Sequence, residues 1–315
     1  MTSDSGEFQY GKLIRLVAGI AAIVLLVQFA MDGGPAELAR QLGAIRWHGW
    51  LLLCGVWLLG FAVLGRIFQT SLRIFNVRMS FLTATSYSAM SNFFNTILPM
   101  KGGLWVRGLY LKRRFGVTWG SYLFIMTTGQ LIQITMLGSI AAGFYLTGRL
   151  PLQPHELPGG MILILGILAT FLVLVSATLQ RTRVVAFVDK VANGIKIWVE
   201  NPLLFARFLV EILALHALAA FNLWLAFYYV GTSLSTTEIS ILYTVIAAGL
   251  SWTITPGNLG VKEAAVVLLA VILGIDAETA LAASIVDRIA SLFVTIVVGG
   301  YSAYQISSST AAEWR

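Results

Sequence analysis

The sequence of 315 residues is 58% hydrophobic and only 11% charged, with a mean hydropathy of +0.83 and a formal net charge of +7, whereas soluble domains are about 25% charged. This composition excludes an ordinary water-soluble fold. Most apolar residues lie in blocks of about 20, long enough to cross a hydrocarbon core of about 30 Å. We therefore predict an all-α polytopic membrane protein that forms one membrane domain over residues 1–315.

Six apolar blocks predict straightforward spanning helices. They are Leu13 to Met31, Trp50 to Leu64, Tyr122 to Leu146, Met161 to Leu179, Phe208 to Val230 and Ala280 to Tyr301. The first block lacks a small-residue cleavage site, so we expect a membrane helix rather than a removed signal peptide. Around the second block, Trp47, Trp50 and Trp57 are expected to include interfacial anchors.

Two further segments are apolar but interrupted. Residues 80–98 carry many Ser, Thr and Asn side chains and stop at Pro99, and residues 239–275 are broken around Pro256 and Gly257. Irregular backbone survives at membrane depth only where protein or a wet cavity satisfies its polar groups. We therefore predict two re-entrant segments, in which a half-helix enters, breaks, and a second half-helix returns to the same side.

The distribution of basic residues tests this topology. With a cytoplasmic N-terminus and two re-entrant segments, sixteen Lys and Arg residues fall on the cytoplasmic side and three on the outer side. Counting either segment as a full crossing inverts all later loops and weakens this positive-inside bias. We predict a cytoplasmic (inner) membrane location, with both termini cytoplasmic.

The two interrupted segments also carry an internal repeat. The stretches that begin at Thr96 and Thr253 share Thr-Ile-x-Pro-x-x-x-Gly at an offset of 157 residues. Paired interruptions in corresponding halves are typical of transporters built from inverted repeats. We predict a first repeat at about 48–147 and a second at about 205–303. The alternative is that Pro and Gly simply kink ordinary membrane helices.

At these motifs the chain resembles the flippase-like transmembrane domain of lysylphosphatidylglycerol synthases and its stand-alone relatives. The resemblance is carried by Asn95 to Pro99, Gly103 and Arg107, and by Thr255 to Glu263 followed by Arg288. It extends from about Leu13 to Tyr301. It implies a membrane domain that translocates a phospholipid or, in some relatives, assists the handling of polyprenyl-phosphate sugars.

Two departures limit what the resemblance implies. Leu104 stands where family members often carry an acidic residue, and we find no counterpart of the soluble aminoacyl-transfer domain. We therefore expect no synthase activity, no catalytic residues and no cofactor. His48, His155 and His216 lie far apart in the sequence, so we expect no metal site.

The candidate substrate-binding residues lie at the two motifs and on the last span. They are Asn95, Pro99, Gly103, Arg107, Pro256, Gly257, Gly260, Lys262, Glu263 and Arg288. A guanidinium holds a phosphate bidentately, and a cation beside free backbone N–H groups suits an anionic head group. The alternatives are an interfacial Arg107, a Lys262 paired with a carboxylate, and a buried Arg288 to Glu263 pair that locks the fold.

Three carboxylates are candidates for proton coupling: Glu211, Glu263 and Asp287. Glu211 follows Arg207 by four residues, which also predicts a structural salt bridge on one helix face. Asp287 and Arg288 are adjacent on a helix, so they should have different partners. Because the sequence has no Walker motif, ATP is not the expected energy source, and transport could also be passive.

The leading hypothesis is a flippase-like transporter whose partners are membrane lipids, either an anionic phospholipid or a polyprenyl-phosphate lipid. The second hypothesis is a non-transporting partner or scaffold of a lipid-modifying enzyme or glycosyltransferase. An intramembrane enzyme ranks last, since no paired acidic motif or His cluster is visible. No nucleic-acid partner is expected.

Overall fold

The computed structural model describes residues 40, 42–98, 101–148, 196–249 and 256–312, and its regular secondary structure is helical. The α-helices within these ranges are α1 Trp47–Arg73, α2 Phe81–Ile97, α3 Gly102–Phe115, α4 Trp119–Leu146, α5 Pro202–Tyr229, α6 Thr236–Gly249, α7 Val261–Ile272, α8 Ala277–Val294 and α9 Gly300–Ala312. A 3-10 turn at Pro256–Asn258 precedes α7, and a π-helical turn at Thr295–Gly299 joins α8 to α9.

Four of the described helices are long and apolar enough to cross a membrane: Trp47–Arg73, Trp119–Phe144, Pro202–Tyr229 and Ala277–Ser308. They confirm four of the predicted apolar blocks as helices, and each begins three to six residues earlier than the sequence predicted. The predicted spans Leu13 to Met31 and Met161 to Leu179 lie outside the described residues.

Shorter helices occupy the two interrupted segments. α2 and α3 have 17 and 14 residues, and α6 and α7 have 14 and 12. At 1.5 Å per residue these helices are about 18 to 26 Å long, which is less than the hydrocarbon thickness of about 30 Å. None of the four is therefore long enough to cross a membrane alone.

The start and the end of the α2–α3 pair are buried in one apolar cluster. Met79 precedes α2, Leu111 lies in the last turns of α3 and Val117 follows it, and all three are buried in one apolar cluster. The same cluster contains Phe68 near the C-terminal end of α1 and Ile306 near the end of α9. The start of α2 and the end of α3 thus share one apolar cluster with the C-terminal part of α1.

The α6–α7 pair behaves in the same way at the other end of α1. Leu234 precedes α6 and Leu269 lies near the end of α7, and both are buried in a second cluster. That cluster also contains Ile45, before α1, and Phe227, near the end of α5. The two broken segments therefore belong to different apolar clusters, one with the N-terminal half of α1 and the other with its C-terminal half.

Each half of the described chain packs its helices against the other half. α1 packs along α5, α2 packs against the π-helical turn and α9, and α6 packs against α4. The starts of α5, α6, α7 and α8 follow the starts of α1, α2, α3 and α4 by 155, 155, 159 and 158 residues, respectively. Helix order and spacing thus correspond between the two halves.

Candidate functional site

The second break in the chain is a tight turn with left-handed backbone. Gly257, Asn258 and Gly260 have φ angles of 58°, 54° and 80°, a region that L side chains rarely adopt and that glycine adopts without a Cβ penalty. α7 starts directly afterwards, at Val261. The turn therefore needs two of the predicted site glycines for its conformation, whatever else they do.

We expect Gly257→Ala to lower the free energy of unfolding by about 1 kcal/mol, since alanine is strained at the φ of 58°. The space around the site does not oppose a Cβ, which would meet Thr96 Cα at 3.5 Å. Gly257→Asn is the matched control, because asparagine tolerates the left-handed region. Thermal unfolding in detergent should show that wild type is the most stable, Gly257→Asn is intermediate and Gly257→Ala is the least stable. An alanine variant as stable as wild type contradicts the prediction.

Arg288 on α8 reaches into this turn and engages all three of its guanidinium nitrogens. Nη1 donates to Gly257 O at 2.7 Å, Nη2 to Asn258 O at 3.2 Å, and Nε to Glu263 Oε1 at 2.6 Å. The other oxygen of Glu263 accepts from Gly260 N at 2.8 Å. A helix break would leave the carbonyls of Gly257 and Asn258 and the N–H of Gly260 without hydrogen-bond partners. Arg288 and Glu263 supply these partners.

Asp287, the neighbour of Arg288, accepts bonds from three other helices. Its Oδ2 pairs with Lys262 Nζ on α7. Its Oδ1 accepts from Asn222 Nδ2 on α5 at 2.6 Å and from Trp57 Nε1 on α1 at 3.2 Å. Asp287 is buried, and its contacts join α1, α5 and α7 to α8 at one point.

Two adjacent charges on α7 thus pair with two adjacent charges on α8. Lys262 pairs with Asp287 and Glu263 pairs with Arg288, so the cluster is electrically neutral. The Arg288 to Glu263 pair, which the sequence left as an alternative to substrate contact, is present, and so is a carboxylate partner for Lys262. The prediction that Asp287 and Arg288 have different partners is confirmed. We call these four side chains the charge cluster.

The first break is organised by close packing rather than by ion pairs. Lys101 has a φ of 53°, and its Nζ donates to Gln130 Oε1 at 3.2 Å. A Cβ on Gly103 would lie 1.8 Å from Ser91 O and 2.8 Å from Asn95 N. Gly103 therefore allows α3 to contact the backbone of α2. Pro99, also a predicted site residue, lies outside the described residues.

Arg107 on α3 is buried without a carboxylate partner among the described residues. The residue is 8% exposed, and its Nε donates to Tyr122 OH at 3.1 Å while Nη2 lies 3.0 Å from Met126 Sδ. Its guanidinium carbon lies 4.3 Å from the centroid of the Phe68 ring. Aromatic faces stabilise a cation but leave its charge in place. Arg107 therefore lies inside the helix bundle and not on its exposed surface.

The structure places the predicted cations at two levels. Lys262 and Arg288 lie together in the charge cluster, next to Trp57, whereas Arg107 contacts Phe68. Trp57 and Phe68 are eleven residues apart on α1, which corresponds to about 16 Å along the helix axis. One phosphate therefore cannot contact both levels at once in this conformation.

Glu211 lies on α5 at the level of the C-terminal part of α1. Its Oε1 accepts from Arg207 Nε at 2.8 Å and from Thr70 Oγ1 at 3.0 Å. The predicted salt bridge with Arg207 is confirmed. Oε2 is buried and has no hydrogen-bond partner among the described residues.

Two residues that hold the charge cluster together were missed or misassigned from the sequence. Trp57, a candidate interfacial anchor, instead donates to Asp287 from inside the bundle. Trp47, by contrast, is 73% exposed. Asn222 was not singled out, although a lone Asn in the apolar run of α5 signals a buried polar partner.

The fold and the charge cluster define a polytopic α-helical membrane protein in which ionised side chains join broken helices to long ones. The family model of the lysylphosphatidylglycerol synthase TM region matches residues 16–299, and the chain belongs to this family. The resemblance inferred from the motifs at Gly103 and Gly260 is thereby confirmed.

A curated relative agrees with a membrane protein of this type. A UPF0104 membrane protein of Methanothermobacter thermautotrophicus is 31% identical over 117 residues. The matched segment covers 37% of this chain and 33% of that protein. The name of that relative states a class of membrane protein and no activity.

Proposed function

We propose that this protein is a flippase-like transporter, and not an enzyme, that moves an anionic lipid across the cytoplasmic membrane. The lipid is either a phospholipid or a polyprenyl-phosphate lipid. The observation that carries the proposal is the buried guanidinium of Arg107, whose charge has no carboxylate partner among the described residues. A charged residue inside a membrane is costly and marks a substrate or ion pathway. A lipid phosphate supplies the missing negative charge.

The position of Arg107 suits a head group that arrives from one membrane surface. The last turn of α3 carries exposed Lys112, Arg113 and Arg114. Arg107 lies five to seven residues before them, or about 8 to 10 Å along the helix. Basic residues near a surface attract anionic lipids, at about 1 kcal/mol each. The exposed cations gather the lipid, and Arg107 binds its phosphate below them.

The distribution of charge supports a cytoplasmic orientation for this end. Among the described residues, the helix ends near the C-terminal half of α1 carry eight basic residues and two acidic ones, Glu200 and Glu211. The basic residues are Arg66, Arg73, Arg78, Lys112, Arg113, Arg114, Lys196 and Arg207. The opposite end of the described chain has Arg40 and Arg46 against Glu238, Asp276 and Glu278. The positive-inside rule assigns the basic end, with the end of α9, to the cytoplasm.

Inverted repeats with re-entrant segments provide the alternating access that a transporter needs. Each broken pair begins and ends in one apolar cluster, at opposite ends of α1. The helix starts correspond at 155 to 159 residues. A pseudo-two-fold relation in the membrane plane would exchange the halves, and transporters of this plan bind substrate near the broken helices. Glu211, Glu263 and Asp287 remain the candidate residues for proton coupling.

We expect Arg107→Gln to reduce the rate of lipid translocation by about tenfold or more, since a charge-assisted bond to phosphate is replaced by a neutral one. The assay uses proteoliposomes. It measures how fast head-group-labelled phosphatidylglycerol, or a labelled polyprenyl phosphate, leaves the protected leaflet. Arg107→Lys keeps the charge and should retain partial activity. Arg46→Gln removes an exposed cation that precedes α1, away from the proposed lipid-binding cations, and should stay within about twofold of wild type.

A non-transporting scaffold for a lipid-modifying enzyme or glycosyltransferase is the second candidate. It is favoured by the charge cluster, whose four side chains compensate one another as in a structural lock. A scaffold moves no lipid, so folded wild-type protein without translocation of any anionic lipid rejects the transporter. If wild type and Arg107→Gln translocate lipid at the same rate, the role of Arg107 is rejected but the transporter is not.

A further inference from the structure

The two ion pairs of the charge cluster differ in how firmly they are held. Arg288 uses all three guanidinium nitrogens on Glu263 and the turn carbonyls. Lys262 contacts one oxygen of Asp287 and lies 5.9 Å from the centroid of the Trp57 ring. Its side chain is 23% exposed, the most of the four. Arg288 is thus fixed in the fold, while Lys262 can leave its partner without opening the turn.

Asp287 is held independently of Lys262. The donors to its Oδ1 come from Trp57 on α1 and Asn222 on α5, whereas Lys262 lies on α7 and pairs with Oδ2. A buried carboxylate that loses its cation is unstable unless hydrogen bonds to its charged form remain. Trp57 and Asn222 supply such bonds when the ammonium moves away.

We propose that Lys262 exchanges between Asp287 and the phosphate of the transported anionic lipid, and that Trp57 and Asn222 are positioning residues that hold Asp287 during the exchange. This inference rests on the proposed function and extends it to the level of the charge cluster. The ammonium leaves Asp287 Oδ2 and binds a phosphate oxygen at the start of α7, where the helix dipole also favours an anion. No covalent bond changes in this exchange.

Exchange predicts affinity changes of opposite sign. Asp287→Asn removes the carboxylate that competes for Lys262, so the affinity for anionic lipid should rise by about tenfold. Asn222→Leu and Trp57→Phe each remove one donor and leave Asp287 more dependent on Lys262, so the affinity should fall by about tenfold. General damage to the site would lower the affinity in all three variants.

The test measures binding of labelled phosphatidylglycerol to protein in phosphatidylcholine nanodiscs. The decisive control is the double variant Asn222→Leu with Asp287→Asn. Once Asp287 is neutral, the loss of the Asn222 donor should no longer lower affinity, whereas a purely structural role for Asn222 would keep the penalty. Unchanged or lower affinity in folded Asp287→Asn overturns the exchange. If Asp287→Asn does not fold, wild-type affinity in Asn222→Leu and Trp57→Phe overturns it.

Acetylation of Lys262, followed by mass spectrometry of the full chain, reads the exchange directly. In phosphatidylcholine nanodiscs Lys262 should react about tenfold faster in Asp287→Asn than in wild type, and phosphatidylglycerol should protect it. Protection by inorganic phosphate alone overturns the assignment of a lipid ligand. These binding measurements do not depend on transport. If the affinities change in the predicted directions but the protein translocates no lipid, the transporter is rejected and the exchange of Lys262 is kept.

Discussion

Replacing Arg288 by Gln should lower the free energy of unfolding by about 3 to 5 kcal/mol. The substitution leaves the buried carboxylate of Glu263 without its cation and removes bonds to the carbonyls of Gly257 and Asn258. Removing one partner of a buried ion pair leaves an uncompensated charge, which costs about this much. Thermal and denaturant unfolding in detergent measure the loss.

The double variant Glu263→Gln with Arg288→Gln separates charge from shape. It removes both charges and keeps two amides that can still bond to each other, so it should recover more than half of the loss. A single Arg288→Gln variant within 1 kcal/mol of wild type contradicts a locking role. In the Arg288→Gln variant, the rate of lipid transport should fall only in proportion to the amount of folded protein that is lost.

Gly103→Ala should destabilise the protein by about 3 kcal/mol, although it adds only one methyl group. The new Cβ would lie 1.8 Å from Ser91 O, and a backbone oxygen of a helix cannot turn aside as a side chain can. α2 and α3 must separate instead, and overpacking of this kind costs about 1 to 3 kcal/mol or more. Unfolding in detergent measures the effect.

Gly138→Ala is the matched control for that substitution. Gly138 lies within α4, and a Cβ there meets nothing within 4 Å among the described atoms. Alanine is favoured over glycine in a helix interior by about 1 kcal/mol, so this variant should be as stable as wild type or more stable. Equal behaviour of the two alanine variants would contradict the close contact at Gly103.

Much of the membrane fold could be predicted from the sequence because it follows from local properties. Blocks of about 20 apolar residues predicted long helices, and four of them are confirmed within the described ranges. The breaks near Gly103 and Gly257 were visible because proline and glycine interrupt helices. Helix starts were set three to six residues too late, since residues such as Trp47 and Pro202 extend a helix beyond its apolar block.

The candidate site was less accessible to sequence reasoning because its contacts join distant parts of the chain. Helical spacing gave the Arg207 to Glu211 pair, which is local. It offered no means of identifying Asp287, on another helix, as the partner of Lys262. The contact between Trp57 and Asp287 spans 230 positions, so no local pattern in the sequence predicts it.

The order of charges on α7 and α8 has a consequence for biogenesis. Lys262 and Glu263 sum to zero on one helix, and Asp287 and Arg288 sum to zero on the other. With 12 residues, α7 is too short to span the bilayer, and each of its ionised groups would stay exposed to lipid until α8 arrives. Only the residues from Leu273 to Asp276 separate the two helices. The α7–α8 hairpin is therefore the smallest unit that the insertion machinery can release into lipid with its charges matched.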